Sequence, residues 1–182
     1  MKNIAVHLAT GFEEIEAISI IDVLRRAELN VQVVSITDEL IVEGSHNIKI
    51  IADILFQDVD YSLFDMIVLP GGMPGSANLN AHDGLREQIL NFNDSGKLLG
   101  AICAAPMVFG NLGICKDKEA TCYPGFEGEL HGAIVTENDV ELAGTVVTGK
   151  GAGVAIKFAL KIVEMIKGEE TAKNLSEKMI VI

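Results

Sequence analysis

The chain has 182 residues, 49% hydrophobic and 22% charged, which excludes general disorder and gives one domain spanning residues 1–182. Lys and Arg number 14 against 26 Asp and Glu, a net charge of −12, and aromatics are only 5% with no Trp. A field of that sign repels phosphate backbones, so nucleic acid is excluded as a partner.

Short apolar runs alternate with amphipathic stretches along the chain. Residues 2–8 read as a buried strand, and 13–27 as a helix with Ile15, Ile18, Ile21 and Leu24 on its apolar face. Residues 30–36 form the next strand. The stretches 41–42 and 48–51 flank Gly44 as a small hairpin. A strand over 66–69 ends in Pro70-Gly71-Gly72. Residues 81–93 are helical, with Leu85, Ile89 and Leu90 inward. A strand over 98–102 leads into a short helix over 104–111. Residues 135–137 and 140–142 flank Asn138-Asp139 as a second hairpin. A strand at 145–148 and helices over 153–167 and 169–177 complete the chain.

Strands of continuous hydrophobicity separated by helices predict a mostly parallel sheet covered on both faces. Right-handed crossovers then bring the loops after the strands to one edge, where ligands bind. The longest uncharged run, 98–115, is interrupted by Gly100, Pro106, Gly110, Asn111 and Gly113. A membrane-spanning helix needs about 20 predominantly apolar residues, so no span is expected. Residues 4–9 contain His7 and lead into Glu13, Glu14 and Glu16, with no small-residue cleavage site. No leader is expected, and the location is expected to be cytoplasmic. Three Cys, an odd number at low density, indicate free thiols in a reducing compartment.

The strongest chemical signal is Ala101-Ile102-Cys103-Ala104-Ala105-Pro106. A buried strand runs straight into a helix with Cys103 at the junction. Ala101 and Ala105 stand two positions either side, the small residues that a tight nucleophile elbow needs. The following helix N-terminus favours a thiolate, and the thiol is expected to titrate below the free value of about 8.5. A buried core thiol fits the same position. In residues 11–16, Glu13 and Glu14 suit a helix N-terminus electrostatically, whereas Glu16 lies among Ile15, Ala17 and Ile18 and can point inward. A buried carboxyl holds its proton and can exchange it with a facing thiolate. Gly71 and Gly72 permit close backbone approach. The Gly72 and Ala104 N–H groups can form an oxyanion hole, though a plain strand-ending turn fits the same glycines. His7, His46, His82 and His131 are scattered and no Cys-x-x-Cys occurs, so no metal is expected. Cys115 and Cys122 read as structural, His7 as a core or edge residue, and His82 as exposed.

These blocks, together with residues 22–27, 68–72, 151–153 and 158–164, resemble the ThiJ/PfpI superfamily and most closely its DJ-one branch. The resemblance implies a flavodoxin-like three-layer α/β sandwich and a homodimer. It implies that Cys103 is the reactive, oxidisable thiol, Glu16 its protonated partner, and Gly72 and Ala104 the oxyanion-hole donors. The implied activity is a glutathione-independent glyoxalase or protein deglycase acting on reactive aldehydes such as methylglyoxal, with a stress-response role and no cofactor. The same thiolate would serve a redox sensor or chaperone. Peptidase chemistry is disfavoured, because Ala104 stands where that branch has a His. Many relatives carry a His where this chain has Tyr123, which leaves Glu16 to manage the proton transfers. Some have an Arg at His46, so the resemblance also implies an anion-binding rim of His46 and Arg26.

Overall fold

The computed structural model describes residues 2–181. Strand β1 (Asn3–Leu8) is buried along nearly its whole length and leads into helix α1 (Glu14–Arg26). Strand β2 (Asn30–Ser35) pairs parallel to β1. The small hairpin β3 (Ile41–Glu43) and β4 (Lys49–Ile51) turns at residues 44–48 as expected. A short strand β5 (Ile54–Leu55) follows, then β6 (Met66–Leu69). Helices α2 (Gly75–Ala81) and α3 (Asp83–Asp94) precede β7 (Leu98–Ile102) and α4 (Pro106–Asn111). Strands β8 (Glu119–Ala120) and β9 (Ile134–Val135) form a two-stranded parallel ladder. Strands β10 (Val140–Ala143) and β11 (Val146–Gly149) lead to α5 (Ala155–Lys167) and α6 (Glu169–Lys178).

The seven-stranded sheet runs β10-β11-β7-β6-β1-β2-β5, parallel except for the edge strand β10. Its two faces are covered by different helices. Leu79, Leu85, Ile89, Val108 and Phe109 of α2, α3 and α4 pack on one side. Ile20, Val23 and Leu24 of α1, Phe158 and Ile162 of α5 and Ala172 of α6 pack on the other. This is the three-layer sandwich the sequence predicts. Strand order reverses between β1 and β6, and the loops after β1, β6 and β7 converge at that crevice.

Three local expectations are corrected. The buried face of α1 is Glu16, Ala17, Ile20, Val23 and Leu24, while Ile15 and Ile18 are 59% and 47% exposed. This helix carries apolar residues on two faces, and periodicity alone cannot say which one meets the sheet. The second hairpin turns at Gly144 between β10 and β11, not at Asn138-Asp139, because Val135 pairs with Ala120 instead. Leu90 points outward on α3, whose inward face is Leu85, Ile89 and Phe92. Helix α2 was not foreseen. Its Gly-Ser-Ala-Asn sequence has little helical propensity, and the Leu79 anchor holds it against the core.

Phe158 fixes α5 against the sheet. A Cβ on Gly149 or Gly100 would lie 2.9 and 3.3 Å from its ring, so these strand glycines make room for the aromatic. The ring is fully buried. Phe158→Ala should cost about 3–5 kcal/mol of unfolding free energy in urea titration. A loss under 1 kcal/mol would show that the helix is held elsewhere.

Candidate functional site

Strand β7 ends at Ile102 and is followed by Cys103, whose backbone lies in the left-handed region with φ of +65°. A non-glycine residue there costs about 1–3 kcal/mol and must be held. Two hydrogen bonds hold it: the Cys103 N–H donates to the Gly149 carbonyl at 2.9 Å, and the Tyr123 N–H donates to the Cys103 carbonyl at 2.8 Å. The turn throws the side chain out at the carboxyl edge of the sheet. The Gly72 and Ala104 N–H groups lie against the sulfur and stabilise its charged form. Helix α4 begins only at Pro106 and has six residues, so these two N–H groups matter more than its dipole.

Glu13 caps α1, its Oε2 accepting from the Glu16 N–H at 2.9 Å. The Glu13 N–H in turn donates to the Gly71 carbonyl at 2.8 Å. The Gly71 N–H donates to Glu16 Oε2 at 2.7 Å. The loop after β6 and the start of α1 are therefore tied together twice. Glu16 is fully buried, and among the described residues its Oε1 has no hydrogen-bond partner. A Cβ on Gly71 would lie 2.6 Å from Cys103 Cβ and 2.8 Å from Glu16 Oε2, so only glycine lets the loop pass between them.

Burial pushes the Glu16 carboxyl up to about 7, against the Gly71 N–H and Cys103, which draw it down. Burial, followed by the facing Glu16 carboxylate, pushes the Cys103 thiol up to about 12, against the Gly72 and Ala104 N–H groups. The expectation of a thiol below the free value is corrected accordingly: a dipole argument from sequence omits both desolvation and the carboxylate. Near neutrality the negative charge of the pair therefore sits on Glu16, and the thiol keeps its proton while Glu16 is ionised. A thiolate forms when Glu16 keeps the proton.

Cys103, Ala104, Glu13, Glu16, Gly72, Met73, Ser45, His46, Tyr123, Phe126 and Ala152 line one cleft of about 330 Å³. Tyr123 is half exposed on its wall. The structure thus brings together six of the seven residues singled out from sequence. Arg26 is the exception. It lies at the far end of the thirteen-residue α1, about 15 Å along the axis from Glu16 at 1.5 Å per residue. There it pairs with Asp22 at 2.7 Å. No rim of His46 and Arg26 forms.

Glu14, read from sequence only as a favourable charge, is buried instead. Its Oε1 accepts from the His46 N–H at 2.6 Å, and its Oε2 lies 2.8 Å from His46 Nδ1. Burial raises its pKa, but these bonds and the Ile48 N–H outweigh that and hold it at about 2. Gly44 lies against this carboxyl with no room for a side chain, the one sequence signal that marked the contact. Glu13, Glu14 and His46 are close enough to share an ion, their ligand atoms lying within 4.8 Å of one another. Both Glu14 oxygens and the imidazole Nδ1 are already engaged with one another, however. His82 caps α3, its Nδ1 accepting from the Leu85 N–H at 3.0 Å, and is half-buried rather than exposed. His7 is fully buried with Nε2 2.7 Å from the Tyr61 hydroxyl. Cys115 and Cys122 are buried away from the cleft. Among the described residues no helix is long and apolar enough to cross a membrane.

A cysteine elbow at the carboxyl edge of a mostly parallel sheet, facing a buried carboxyl, places the molecule among the α/β proteins with a cysteine at a strand-to-helix turn. Residues 2–165 match the DJ-1/PfpI family, and the chain belongs to that family. It is 38% identical over 181 residues to Protein DJ-1 homolog B of Arabidopsis thaliana, covering 98% of this chain and 41% of that protein. The chain thus spans less than half the length of that relative. It is 36% identical over 165 residues to the glutathione-independent glyoxalase DJR-1.2 of Caenorhabditis elegans, covering 90% of this chain and 87% of that one. The structure of oxidized Toxoplasma gondii DJ-1 superposes with a TM-score of 0.95 at 35% identity, covering 99% of this chain and 98% of that one.

In Glu16→Gln the carboxylate can no longer ionise. With Cys115 and Cys122 replaced by Ser, the Cys103 thiol of that variant should titrate well below about 12 in thiolate absorbance. A titration still near 12 would mean that burial alone sets it.

Proposed function

We propose that the protein is a cysteine-dependent, cofactor-independent glyoxalase acting on methylglyoxal-type dicarbonyls, with a role in stress response. The observation that carries this reading is the strained Cys103 facing a buried Glu16 whose Oε1 has no partner. The glyoxalase name of the nematode relative supports it.

With the proton on Glu16, the Cys103 thiolate adds to the aldehyde carbon. A C–S bond forms, and the carbonyl electron pair moves to oxygen, where the Gly72 and Ala104 N–H groups receive it. The adduct oxyanion takes the Glu16 proton, and Glu16, now ionised, moves a proton from the former aldehyde carbon to the neighbouring ketone carbon through an enediol. One carbon is oxidised and its neighbour reduced, so no external redox partner is needed. The product is a thioester of a 2-hydroxy acid, and water releases it. The same attack on aminocarbinols and hemithioacetals of glycated proteins gives deglycase activity. Tyr123 supplies a phenol on the cleft wall where many relatives carry a His.

Cys103→Ala should abolish conversion of methylglyoxal to lactate without glutathione, since alanine leaves no nucleophile. Glu16→Ala should slow it by a factor on the order of 10² to 10⁴. Cys115→Ala and Cys122→Ala should retain most activity. Turnover surviving in Cys103→Ala would reject the mechanism. Absence of turnover in the wild type, with Cys103 oxidising selectively at low peroxide, would favour a redox sensor instead.

We also infer a homodimer. Ile15 and Ile18 of α1 and Ile51 of β4 are large apolar side chains exposed on one side of the chain, and Ile18 shares a groove with Ile50 and Ile51. An isologous contact would cover this face. Sedimentation should give twice 19.5 kDa at micromolar protein, and Ile18→Glu should shift it to the monomer. A wild-type monomer at that concentration would contradict the assignment.

A further inference from the structure

Behind the cleft wall lies a second buried carboxylate, Glu14, bonded to His46, which lines the cleft. Glu14 fastens the 44–48 loop to the start of α1. Its Oε1 takes the His46 N–H at 2.6 Å and the Ile48 N–H at 3.4 Å. Its Oε2 takes the Ser45 hydroxyl at 3.2 Å and faces His46 Nδ1 at 2.8 Å. The carboxyl is ionised and acts as an acceptor, so Nδ1 carries the hydrogen of that bond. Nε2 is then the basic nitrogen. Among the described residues it has no hydrogen-bond partner. The imidazole is 71% exposed and belongs to the wall of the Cys103 cleft. It is the one basic side chain on that wall.

We propose that Glu14 and His46 form the water-activating pair of this site, with His46 as the base and Glu14 as its positioning residue. The inference rests on the glyoxalase reading above. That chemistry needs two kinds of proton transfer. The carbon-to-carbon transfer must be shielded from solvent, which suits the buried Glu16. Thioester hydrolysis needs a base that meets water, which Glu16 does not. In the hydrolysis, water gives one proton to His46 Nε2 and its oxygen bonds the acyl carbon. The tetrahedral adduct collapses, the C–S bond breaks, and the electron pair returns to the Cys103 sulfur. The acid product and the imidazolium each release a proton to bulk water. Glu14 fixes the tautomer and stabilises the imidazolium as it forms, the logic of a hydrolase triad.

The groups that face the imidazole are Glu14, at 2.8 Å, and Glu13, whose Oε1 is 4.0 Å from Nδ1. Both are acidic and both raise its pKa from the ordinary 6.5. The base is neutral only above that pKa, so acyl-enzyme breakdown should rise with pH through a limb lying above 6.5. Removing the Glu14 charge should move the limb down.

The test is transient kinetics with methylglyoxal on the intact protein, with Cys103 adducts followed by mass spectrometry. His46 is exposed, and His46→Gln should fold normally. It should still give a burst of Cys103 thioester, which then breaks down more slowly by a factor on the order of 10² to 10⁴. Glu14→Gln should shift the breakdown limb to lower pH, while a limb owed to Glu16 stays in every variant. Equal breakdown rates in wild type and His46→Gln, with turnover intact, would overturn the pair and leave the glyoxalase reading standing. No adduct and no turnover in the wild type would overturn both.

Discussion

The site depends on a backbone passing between two side chains. Gly71 runs between Cys103 and Glu16 with room for a hydrogen and nothing larger. From that position its N–H binds one Glu16 oxygen and its carbonyl takes the Glu13 N–H. The next residue, Gly72, has φ of +91° and turns its own N–H toward the sulfur. Its missing Cβ clears the Glu13 backbone nitrogen. Two glycines in succession therefore do three things. They seat the carboxyl, bring a backbone N–H to the sulfur, and fix the start of α1 relative to β6. A methyl group on Gly71 would have to displace Cys103, whose backbone is bonded to Gly149 and Tyr123 and has little freedom to move.

The parts legible in the sequence were those fixed by local sterics. The elbow at Cys103 demanded small neighbours at Ala101 and Ala105, and the double glycine demanded close approach. The parallel sheet followed from continuous apolar strands such as β6 and β7. What escaped was decided by tertiary contact. The inward face of α1 is set by where the sheet lies, and Ile15, Ile18 and Ile21 offer a rival stripe of equal apolarity. The partner of Val135 is Ala120, fifteen residues away in the chain, which turn chemistry at Asn138-Asp139 cannot reveal. Arg26 was placed at the cleft by resemblance, but helix geometry puts it at the other end of α1. The direction of the Cys103 titration escapes the sequence because burial, its first cause, and the Glu16 charge that adds to it both come from other elements.

Glu14 and Glu16 show how much environment decides. They lie two residues apart on one helix turn and both are buried. Glu14 receives donors from His46, Ser45 and Ile48 and is held near 2. Glu16 receives one N–H, faces a thiol, and is pushed to about 7. Groups driven apart in this way take opposite roles: one stays a fixed anion, the other keeps a proton to exchange near neutrality.

Their effects on folding also oppose each other. The Glu16 pKa is raised from 4.5, so between 4.5 and about 7 the folded chain binds more protons there than the unfolded chain. The stability it contributes is full below 4.5 and is lost as pH rises to about 7. The Glu14 pKa is lowered from 4.5, so its contribution is full above 4.5 and is lost as pH falls toward 2. Acid therefore loosens the 44–48 loop through Glu14, while neutral pH loads the Cys103 elbow through Glu16. The two costs fall in different pH ranges because one carboxyl is surrounded by donors and the other mainly by apolar groups and a thiol.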